Sequence, residues 1–491
     1  MAKKNSEVPL TGITVKKEDD FSEWYTELLN KAELADIRYN VKGFIVYREW
    51  ATMTIKKMYT KYEKCMEDHG HLPLIMPSLI PESNFLLEAD HVEGFAPEVF
   101  WVTEAGSSGK FAERLALRPT SETALYKMYN LWIQSYKDLP FKRYLSCQIW
   151  RYETKMTKPF FRGREFHWIE GHDVFASMED AINQVREDMK MTYQMLQDEF
   201  GIPIIFFERP QWDKFAGAVA TYAADALMGS GKVLQLPSTH LLGQNFAKPF
   251  NVKFVDKDGQ EKYGYQTCYG PAISRIYGAM IAYLGDDKGL ILPFDLAPVQ
   301  IIIIPILFKG KEQLVLNKAK EVFEKLKQRY NVKTDEREES VGSKFYYWEL
   351  RGVPIRIEIG PRDIEKKQFI IVKRHDEKKS IIKESDLLKK VEEIAQNYTN
   401  EIKKKSLVDF ESQIELVYEK DTAIDAINKG KIVACGFCSI DFEGEKCAEV
   451  VEKEIGAYVR GKRVDEEKHE FASCLICGKP AGCTVYLAKS Y

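Results

Sequence analysis

The chain has 491 residues, of which 45% are hydrophobic and 30% charged, and a formal net charge of −3. This length corresponds to roughly three domains of about 150 residues, and the composition is typical of a globular protein with a substantial core. The sequence has no repeats, no low-complexity tracts and no apolar run near the ~20 residues that a membrane helix needs, which excludes repeat, disordered and membrane-spanning proteins. No secretory signal is visible, so we expect a cytoplasmic location.

The N-terminal third predicts a lead, two helices and an edge strand. Residues 1–20 are polar and predict a flexible lead. Apolar residues at helical spacing follow in 21–35 and again in 50–69. Residues 72–81 contain three prolines, which cannot donate to the hydrogen-bond ladder of a central strand. We therefore expect an edge or interface strand there.

Two short segments carry residues suited to chemistry. The first, Arg118-Pro119-Thr120-Ser121-Glu122-Thr123, has two interpretations. Thr120 and Glu122 lie two apart, so in an extended segment both would face one side and could bind an ammonium group with two hydrogens to donate. Alternatively, Thr120 caps a helix that begins at Ser121. Spacing alone favours the cap.

The second segment combines arginines, aromatic rings and carboxylates. Trp150-Arg151-Tyr152-Glu153 precedes a short loop and Phe160-Phe161-Arg162-Gly163-Arg164-Glu165-Phe166-His167-Trp168-Ile169-Glu170-Gly171-His172. A guanidinium can neutralise a phosphate, an aromatic face can stack on a purine, and a carboxylate can hold an amine. An ordinary strand facing water would not concentrate these groups around a tight loop. The segment therefore predicts a nucleotide site.

From about residue 298 the pattern becomes a regular alternation of strand and helix. The predicted strands are 299–306, near 332 and 353–359, and the predicted helices are 311–330 and near 343–351. This βαβ order implies a separate α/β domain. A Lys/Glu-rich helical stretch, 384–405, leads into a final domain from about Leu407.

Six of the nine cysteines fall in this final domain: Cys435, Cys438, Cys447, Cys474, Cys477 and Cys483. In a cytoplasmic chain such clustering favours a metal over disulfides. Two Cys-x2-Cys pairs and a further cysteine between them suit four thiolates in a closed tetrahedral zinc site. A metal-free cluster of thiols is the alternative.

The segment 147–172 resembles motif 2 of the class II aminoacyl-tRNA synthetases, and within them the prolyl-tRNA synthetases. Residues of about 50–81 and 270–294, the latter opening with Gly270-Pro271-Ala272-Ile273-Ser274-Arg275, resemble motifs 1 and 3. The hexapeptide at 118–123 resembles the amino-acid-binding loop of prolyl and threonyl enzymes, which reverses the preference for the cap. Gly352-Val353-Pro354-Ile355-Arg356-Ile357-Glu358-Ile359-Gly360-Pro361-Arg362-Asp363 resembles their anticodon-binding domain, and the cysteines resemble the zinc domain of archaeal- and eukaryote-like members.

The resemblance implies an α+β fold. The expected order is a class II antiparallel-sheet catalytic domain at 21–296, an α/β anticodon-binding domain at 297–405 and a small α/β zinc-binding domain at 406–491. A terminal tyrosine, here Tyr491, is expected to fold back toward the catalytic domain. Only about 100 residues separate motifs 2 and 3, too few for the inserted editing domain of bacterial-type relatives.

The resemblance also assigns residues to sites. Arg151 and Arg275 are the expected catalytic groups. The expected ATP contacts are Arg151, Glu153, Arg162, Phe166, Gln235 and Arg275. The expected proline contacts are Thr120, Glu122, Arg151, Trp168, Glu170, His172, Phe215, Ser238, His240 and Ser274. The expected anticodon contacts are Glu358, Arg362, Asp363 and Arg374, and the expected zinc ligands are Cys438, Cys447, Cys474 and Cys477, with Cys438 favoured over Cys435.

The implied activity is that of a cytoplasmic homodimer that activates L-proline with ATP and Mg²⁺ and transfers it to tRNA(Pro). Clearing of mischarged alanine would then need a separate editing factor. One alternative is a threonyl enzyme, which would need metal ligands in its catalytic pocket that the set Trp168, Glu170 and His172 does not resemble. Another is an inactive, RNA-binding paralogue, against which three retained phosphate arginines argue. Departures from the family at Val219-Ala220 and Leu236-Pro237 leave discrimination against alanine or cysteine open.

Overall fold

The computed structural model describes residues 12–89, 99–152, 157–465 and 471–491. The expected ATP contact Glu153 and the first eleven residues of the expected lead lie outside this part of the chain. The helices are α1 Phe21–Lys31, α2 Glu49–Asp68, α3 Glu82–Ala89, α4 Glu122–Trp132, α5 Met178–Thr192, α6 Ile273–Leu284, α7 Glu312–Leu326, α8 Val341–Leu350, α9 Pro361–Glu365, α10 Leu387–Glu411, α11 Lys420–Asn428 and α12 Glu445–Val450.

The strands follow the same order along the chain. They are β1 Ala35–Asp36, β2 Val46–Tyr47, β3 Leu72–Pro73, β4 Leu79–Pro81, β5 Trp101–Glu104, β6 Lys110–Leu117, β7 Phe141–Trp150, β8 Glu165–Phe175, β9 Ile205–Glu208, β10 Ala220–Leu227, β11 Lys232–Gly243, β12 Lys253–Val255, β13 Glu261–Tyr263, β14 Tyr265–Gly270, β15 Ile301–Pro305, β16 Val332–Thr334, β17 Ile355–Ile359, β18 Gln368–Lys373, β19 Lys379–Lys383, β20 Ile414–Leu416, β21 Ile432–Phe437, β22 Tyr458–Arg463 and β23 Cys483–Ser490.

An eleven-stranded sheet dominates the molecule. Its strand order is β20-β21-β23-β22-β9-β10-β11-β14-β8-β7-β3. All neighbours from β9 to β7 pair antiparallel, which confirms the antiparallel floor expected for 21–296. The helices α2 and α6 bury their apolar side chains in the principal core, which also includes residues of β8 and β14. The sheet is thus held rigidly from that side.

The proline-rich segment 72–81 forms two short strands rather than one. β3 is the last strand of the large sheet and pairs in parallel with β7, which confirms the predicted edge position. β4 pairs with β6 in a separate three-stranded sheet. The interruption follows from the prolines, which supply no N–H to a continuous ladder.

The predicted α/β unit is a five-stranded sheet ordered β16-β15-β17-β18-β19. β15 pairs in parallel with both β16 and β17, as the βαβ pattern requires. The following helix, α10, runs continuously through 405, so the expected boundary at 405–406 falls inside a helix.

The last strands do not form a sheet of their own. Residues 414–491, here called the C-terminal segment, contribute β20, β21, β23 and β22, and β22 pairs antiparallel with β9. The end of β23 also pairs in parallel with the start of β11. The C-terminal segment therefore extends the large sheet, a continuity that the sequence did not predict.

The buried carboxyl group of Asp188, packed against this sheet, has no cation in hydrogen-bond contact among the residues that the structure describes. Asp188 on α5 accepts hydrogen bonds from Gln184 Nε2 at 2.7 Å and Thr239 Oγ1 at 2.6 Å. Burial, with the nearby Asp173, raises the pKa of Asp188 to about 7, although His71 partly opposes this. Asp173 itself pairs with His71 at 3.0 Å.

We expect Asp188→Asn to stabilise the protein at pH 8 by a few kcal/mol. The folded chain keeps the Asp188 proton up to about pH 7, whereas the unfolded chain releases it near pH 4. Folding is therefore penalised progressively from about pH 4 upward, and about 3 pKa units correspond to about 4 kcal/mol. The gain should vanish near pH 4. Urea unfolding at both pH values measures it, with Glu187→Gln on the same helix as control, and an equal effect at both pH values would contradict the prediction.

Candidate active site

A cavity of about 470 Å³ opens on the antiparallel part of the large sheet. β8 supplies Phe166, Trp168, Glu170 and His172, which alternate along the strand and therefore face one side, as the sequence predicted for the last three. β11 and β14 continue the floor, while the first residues of α4 and α6 form walls.

Twelve of the expected site residues line this cavity. They are Thr120, Glu122, Arg151, Phe166, Trp168, Glu170, His172, Phe215, Gln235, Ser238, His240 and Arg275. Two others with described positions do not. Ser274 is fully buried and its hydroxyl lies 3.2 Å from the backbone N of His167, which donates to it. Arg162 lies half-buried in the turn before β8, outside the lining of this cavity, and its expected contact with ATP stays a prediction.

Thr120 and Glu122 face the cavity together although Glu122 is already helical. Ser121, not Thr120, is the N-cap of α4, and its side chain makes no capping hydrogen bond. Thr120 Oγ1 contacts the carboxyl groups of Glu122 and Glu170, lying 3.0 Å from Glu170 Oε1. Thr120 therefore does not cap α4 in the structure.

Glu170 is buried and held by several donors. Its carboxyl group accepts hydrogen bonds from the Ser121 hydroxyl and, at 3.3 Å, from the Ser121 backbone N–H. Burial by itself raises the pKa of Glu170, but His172 and the hydroxyl groups of Ser121 and Thr120 outweigh it and hold the pKa below its ordinary value. Glu170 is therefore a carboxylate at neutral pH.

His172 lies beside both carboxyl groups. Its Nε2 is 3.9 Å from Glu170 Oε1 and has no hydrogen-bond partner among the described residues. Burial lowers the pKa of His172, but Glu170 and Glu122 more than compensate and raise it. The donor atoms of Glu122, Glu170 and His172 all lie within 4.8 Å of one another. The pocket thus contains a set able to hold a cation, and this set differs from Trp168, Glu170 and His172 by including Glu122 in place of Trp168.

His240 is the neutral imidazole of the pocket. The Thr221 hydroxyl lies 2.9 Å from its Nδ1 and the Ser238 hydroxyl 3.1 Å from its Nε2. Burial, reinforced by His172, lowers the pKa of His240 to about 3. The Phe215 ring lies 4.8 Å from the imidazole. His240 and Phe215 thus form an uncharged wall.

The two expected catalytic arginines, Arg151 and Arg275, line the same cavity. Arg151 Nε donates to the Pro119 carbonyl at 2.9 Å, and its guanidinium lies 5.0 Å from the Trp168 ring and 5.6 Å from the Phe166 ring. Arg275, on the first turn of α6, donates to the carbonyls of Phe161 at 3.0 Å and Gln235 at 3.3 Å. Both guanidinium groups are therefore positioned by backbone oxygens.

Sequence reasoning missed several lining residues, notably Arg209, Asp213 and Thr221. Arg209 follows the apolar strand β9 and is 1% exposed. A charged residue directly after such a strand is a local sequence signal that could have identified it as a candidate site residue. Thr221 carries no such sign, because its role depends on the hydrogen bond to His240 across the sheet.

The expected anticodon contacts are placed differently from one another. Arg362 is exposed at the start of α9, and Asp363 accepts from the Gly360 backbone N–H at 3.0 Å. Glu358 is buried and accepts from Arg356 Nε at 3.1 Å. Arg374 is also buried and donates to Asp286 at 2.5 and 2.9 Å, which joins the five-stranded unit to the end of α6.

Four cysteines of the C-terminal segment converge: Cys438, Cys447, Cys474 and Cys477, whose sulfur atoms all lie within 4.8 Å of one another. The Sγ atoms of Cys438 and Cys447 are 3.7 Å apart, close to the edge of about 3.8 Å in a tetrahedron with Zn–S bonds of about 2.3 Å. Cys435 lies instead in the core, and Cys483 Sγ faces the Phe437 carbonyl. The donor set fits zinc and agrees with the preference for Cys438.

The chain end returns to the large sheet, as expected. The Tyr491 ring packs against Phe161 at 5.1 Å, and its hydroxyl lies 2.6 Å from Ser230 Oγ.

Among the described residues, no helix combines the length and apolarity that crossing a membrane requires.

The antiparallel sheet and its arginine-lined cavity are those of a class II aminoacyl-tRNA synthetase. Family models agree: the class II core domain for G, H, P, S and T synthetases matches 100–283, an anticodon binding domain matches 300–394, and the C-terminal domain of prolyl-tRNA synthetase matches 420–491. A proline-tRNA ligase of Thermofilum pendens is 48% identical over 98% of this chain and 99% of its own. The chain belongs to the prolyl-tRNA synthetase family.

Further relatives have the same name and fold. The proline-tRNA ligase of Methanopyrus kandleri is 41% identical over 96% of both chains. A prolyl-tRNA synthetase of Giardia lamblia in complex with prolyl-adenylate has a TM-score of 0.94 and 36% identity, covering 98% of this chain and 100% of its own. One of Cryptosporidium parvum, complexed with L-proline and AMP, has a TM-score of 0.89 and 31% identity at the same coverage. The expected family and fold class are confirmed.

Proposed function

We propose that this chain is a proline-tRNA ligase, which condenses L-proline and ATP to prolyl-adenylate and transfers the prolyl group to the 3′ end of tRNA(Pro). The observation that carries the proposal is one cavity lined both by the buried carboxyl groups of Glu122 and Glu170 and by the guanidinium groups of Arg151 and Arg275. The matched Giardia lamblia enzyme is in complex with prolyl-adenylate, a ligand that contains both an amine and a phosphate.

The charges of the pocket favour an ammonium ligand. Two carboxyl groups, those of Glu122 and Glu170, face a single imidazole, that of His172, so the set has more acidic than basic groups. A buried uncompensated charge is costly, and a secondary ammonium with two hydrogens neutralises it. The neutral wall of His240 and Phe215 with Trp168 suits the apolar ring of proline.

Arg151 and Arg275 act on the phosphates. The carboxylate of proline attacks the α-phosphorus of ATP, the bond to the β-phosphate oxygen breaks, and pyrophosphate leaves. Arg151, between the pocket and the nucleotide, stabilises the negative charge that develops on the α-phosphate, and Arg275 neutralises the outer phosphates. The nucleophile is already ionised, so positioning supplies most of the rate and no protein base is required. Mg²⁺ enters as the counter-ion of ATP.

The remaining sites are assigned on the same grounds. Cys438, Cys447, Cys474 and Cys477 hold structural zinc, for which the sulfur geometry is the support. The five-stranded unit with its neighbouring helices, 297–405, binds the anticodon, and the exposed Arg362 is the expected contact best placed for RNA. Glu358 and Arg374 can contribute only after their buried ion pairs open.

The assembly proposed is a cytoplasmic homodimer joined through the proline-rich segment. Leu72, Ile75 and Leu79 expose 55%, 99% and 40% of their surface there, an apolar row that a second copy would cover. Sedimentation of the purified protein tests this.

The connection between β8 and α6 contains α5 and β9 to β14 and no separate folded unit, so editing of mischarged tRNA falls to a separate factor.

Amino-acid-dependent ATP–pyrophosphate exchange tests the activity. Exchange should require proline and be negligible with threonine. Exchange with threonine alone would overturn the proposed specificity for proline. Glu122, Glu170 and His172 would then be interpreted as metal ligands. Failure of every amino acid to support exchange would favour an inactive RNA-binding paralogue.

Glu170→Gln should raise the KM for proline by about 10- to 100-fold while changing the KM for ATP by less than about threefold, because a charge-assisted hydrogen bond to the ammonium is lost. Exchange kinetics at varied proline and varied ATP measure both constants. Glu165→Gln is the matched control, since Glu165 lies on the same strand but outside the cavity wall. Equal effects of Glu170→Gln on the two substrates would argue against a proline contact.

A further inference from the structure

A buried group of charges joins the C-terminal segment to the large sheet. Arg460 on β22, Asp225 on β10 and Arg209 after β9 are 6%, 2% and 1% exposed. The strands that carry them are neighbours, since β22 pairs with β9 and β9 with β10. Charged side chains at this depth persist only when they are paired.

Asp225 holds both arginines at once. Its Oδ2 accepts from Arg460 Nε at 2.7 Å, and its Oδ1 accepts from Arg209 Nη2 at 2.6 Å and from Arg460 Nη2 at 3.2 Å. Arg209 Nη1 donates to the backbone carbonyl of Arg460 at 2.8 Å. Arg460 thus binds both carboxylate oxygens, and Arg209 shares only Oδ1 with it.

Arg209 carries this arrangement to the cavity. Its Nη2 also donates to Gln235 Oε1 at 3.2 Å, and both Arg209 and Gln235 line the cavity. Asp225 and Arg460 do not line it. The Arg209 Nε is buried with no hydrogen-bond partner among the described residues. Arg209 therefore donates hydrogen bonds both to Asp225, which does not line the cavity, and to Gln235, which does.

Removal of Arg460 would change this sharing. Asp225 Oδ2 would lose its donor, and a buried carboxylate oxygen without a donor is costly. The nearest remaining guanidinium is that of Arg209, which has a partnerless Nε. Arg209 would then turn toward Asp225 to bind both oxygens, and Gln235 would lose the hydrogen bond that orients its amide.

We propose that Arg460 of the C-terminal segment is a positioning residue for the nucleotide half of the catalytic cavity, acting through Asp225 and Arg209 on Gln235. The proposal rests on the proposed function, in which Gln235 faces ATP. It gives the C-terminal segment a role in ATP binding that does not involve its cysteine cluster.

The test is the KM for ATP and for proline in the exchange reaction of the full-length, zinc-loaded protein. Arg460→Met should raise the KM for ATP by about tenfold, or about 1.4 kcal/mol, and the KM for proline by less than about twofold. Arg460→Lys, which restores one donor to Asp225, should raise the KM for ATP by only about threefold. Arg463→Met on the same strand is the control, because Arg463 pairs with Asp465 outside the network.

A second measurement separates positioning from a merely structural role. Gln235→Ala should raise the KM for ATP, and adding Arg460→Met to it should raise that KM no further, since both act on one contact. Additive effects, equal changes for ATP and proline, or an unchanged KM for ATP would each overturn the proposal. Where Arg460→Met does not fold, Arg460→Lys with and without Gln235→Ala decides the same question.

The failure of this inference is distinguishable from failure of the proposed function. Wild-type protein without proline-dependent exchange would reject the function itself. Wild-type exchange with normal ATP kinetics in both Arg460 variants would retain the function and reject only the positioning role.

Discussion

Arg151→Ala is expected to lower the rate of proline-dependent ATP–pyrophosphate exchange by about 10³-fold, the larger of the two effects on chemistry predicted for this chain. The Arg151 guanidinium lies over the ring of Trp168, an expected proline contact, and near that of Phe166, an expected ATP contact. Its guanidinium is positioned by the Pro119 carbonyl, so in the proposed role it would need no reorganisation to bind the reacting phosphate. The loss should appear mainly in kcat, because the stabilised charge exists fully only in the transition state.

Arg164→Ala is the matched control for this variant. Arg164 lies in the same motif, but its guanidinium stacks on the Tyr152 ring at 4.2 Å and donates to the Lys42 carbonyl, away from the cavity wall. Its removal should leave exchange within about threefold of wild type. Near-normal turnover of Arg151→Ala in a folded protein would refute the phosphate role.

Replacement of a zinc ligand should have the largest effect on stability. Cys447→Ser is expected to abolish zinc binding and to unfold residues around the cysteine cluster, since structural zinc contributes on the order of 10 kcal/mol in small zinc domains. Cys447 and Cys474 are buried, and burial raises the pKa of the Cys447 thiol, so a metal is needed to keep that sulfur as a thiolate. Atomic absorption should find about one zinc per chain in wild type and almost none in the variant.

Cys483→Ser separates this effect from the loss of any thiol. Cys483 lies in the same segment, yet its sulfur contacts a backbone carbonyl and not the cluster. The variant should keep its zinc and its melting temperature within a few degrees. Retention of zinc by Cys447→Ser, or its loss from Cys483→Ser, would contradict the proposed ligand set.

Local patterns in the sequence predicted the parts of the site that depend on strand geometry. Trp168, Glu170 and His172 were assigned to one face because side chains alternate along a strand, and the structure places them so. Residues 72–81 were assigned to an edge because prolines cannot complete a ladder, and β3 lies there. The βαβ order was equally readable, since hydrophobic periodicity changes with each element.

Contacts between distant segments could not be predicted in this way. The family resemblance makes Glu358 and Arg374 expected RNA contacts, but each is buried in an ion pair. The partner of Arg374, Asp286, lies 88 residues away, and no local pattern joins them. The ion-pair partners of Arg209 were unpredictable for the same reason, because Asp225 and Arg460 come from other strands.

The continuity of the large sheet also limits how this chain can be divided. β9 pairs with β22, and the start of β11 pairs with the end of β23. Each of these pairings joins strands that are far apart in the sequence. A shortened protein ending before the C-terminal segment would expose the bare N–H and C=O groups of β9. Such an unprotected strand recruits strands of other molecules. Recombinant fragments of this kind should therefore precipitate during expression instead of yielding a smaller soluble enzyme.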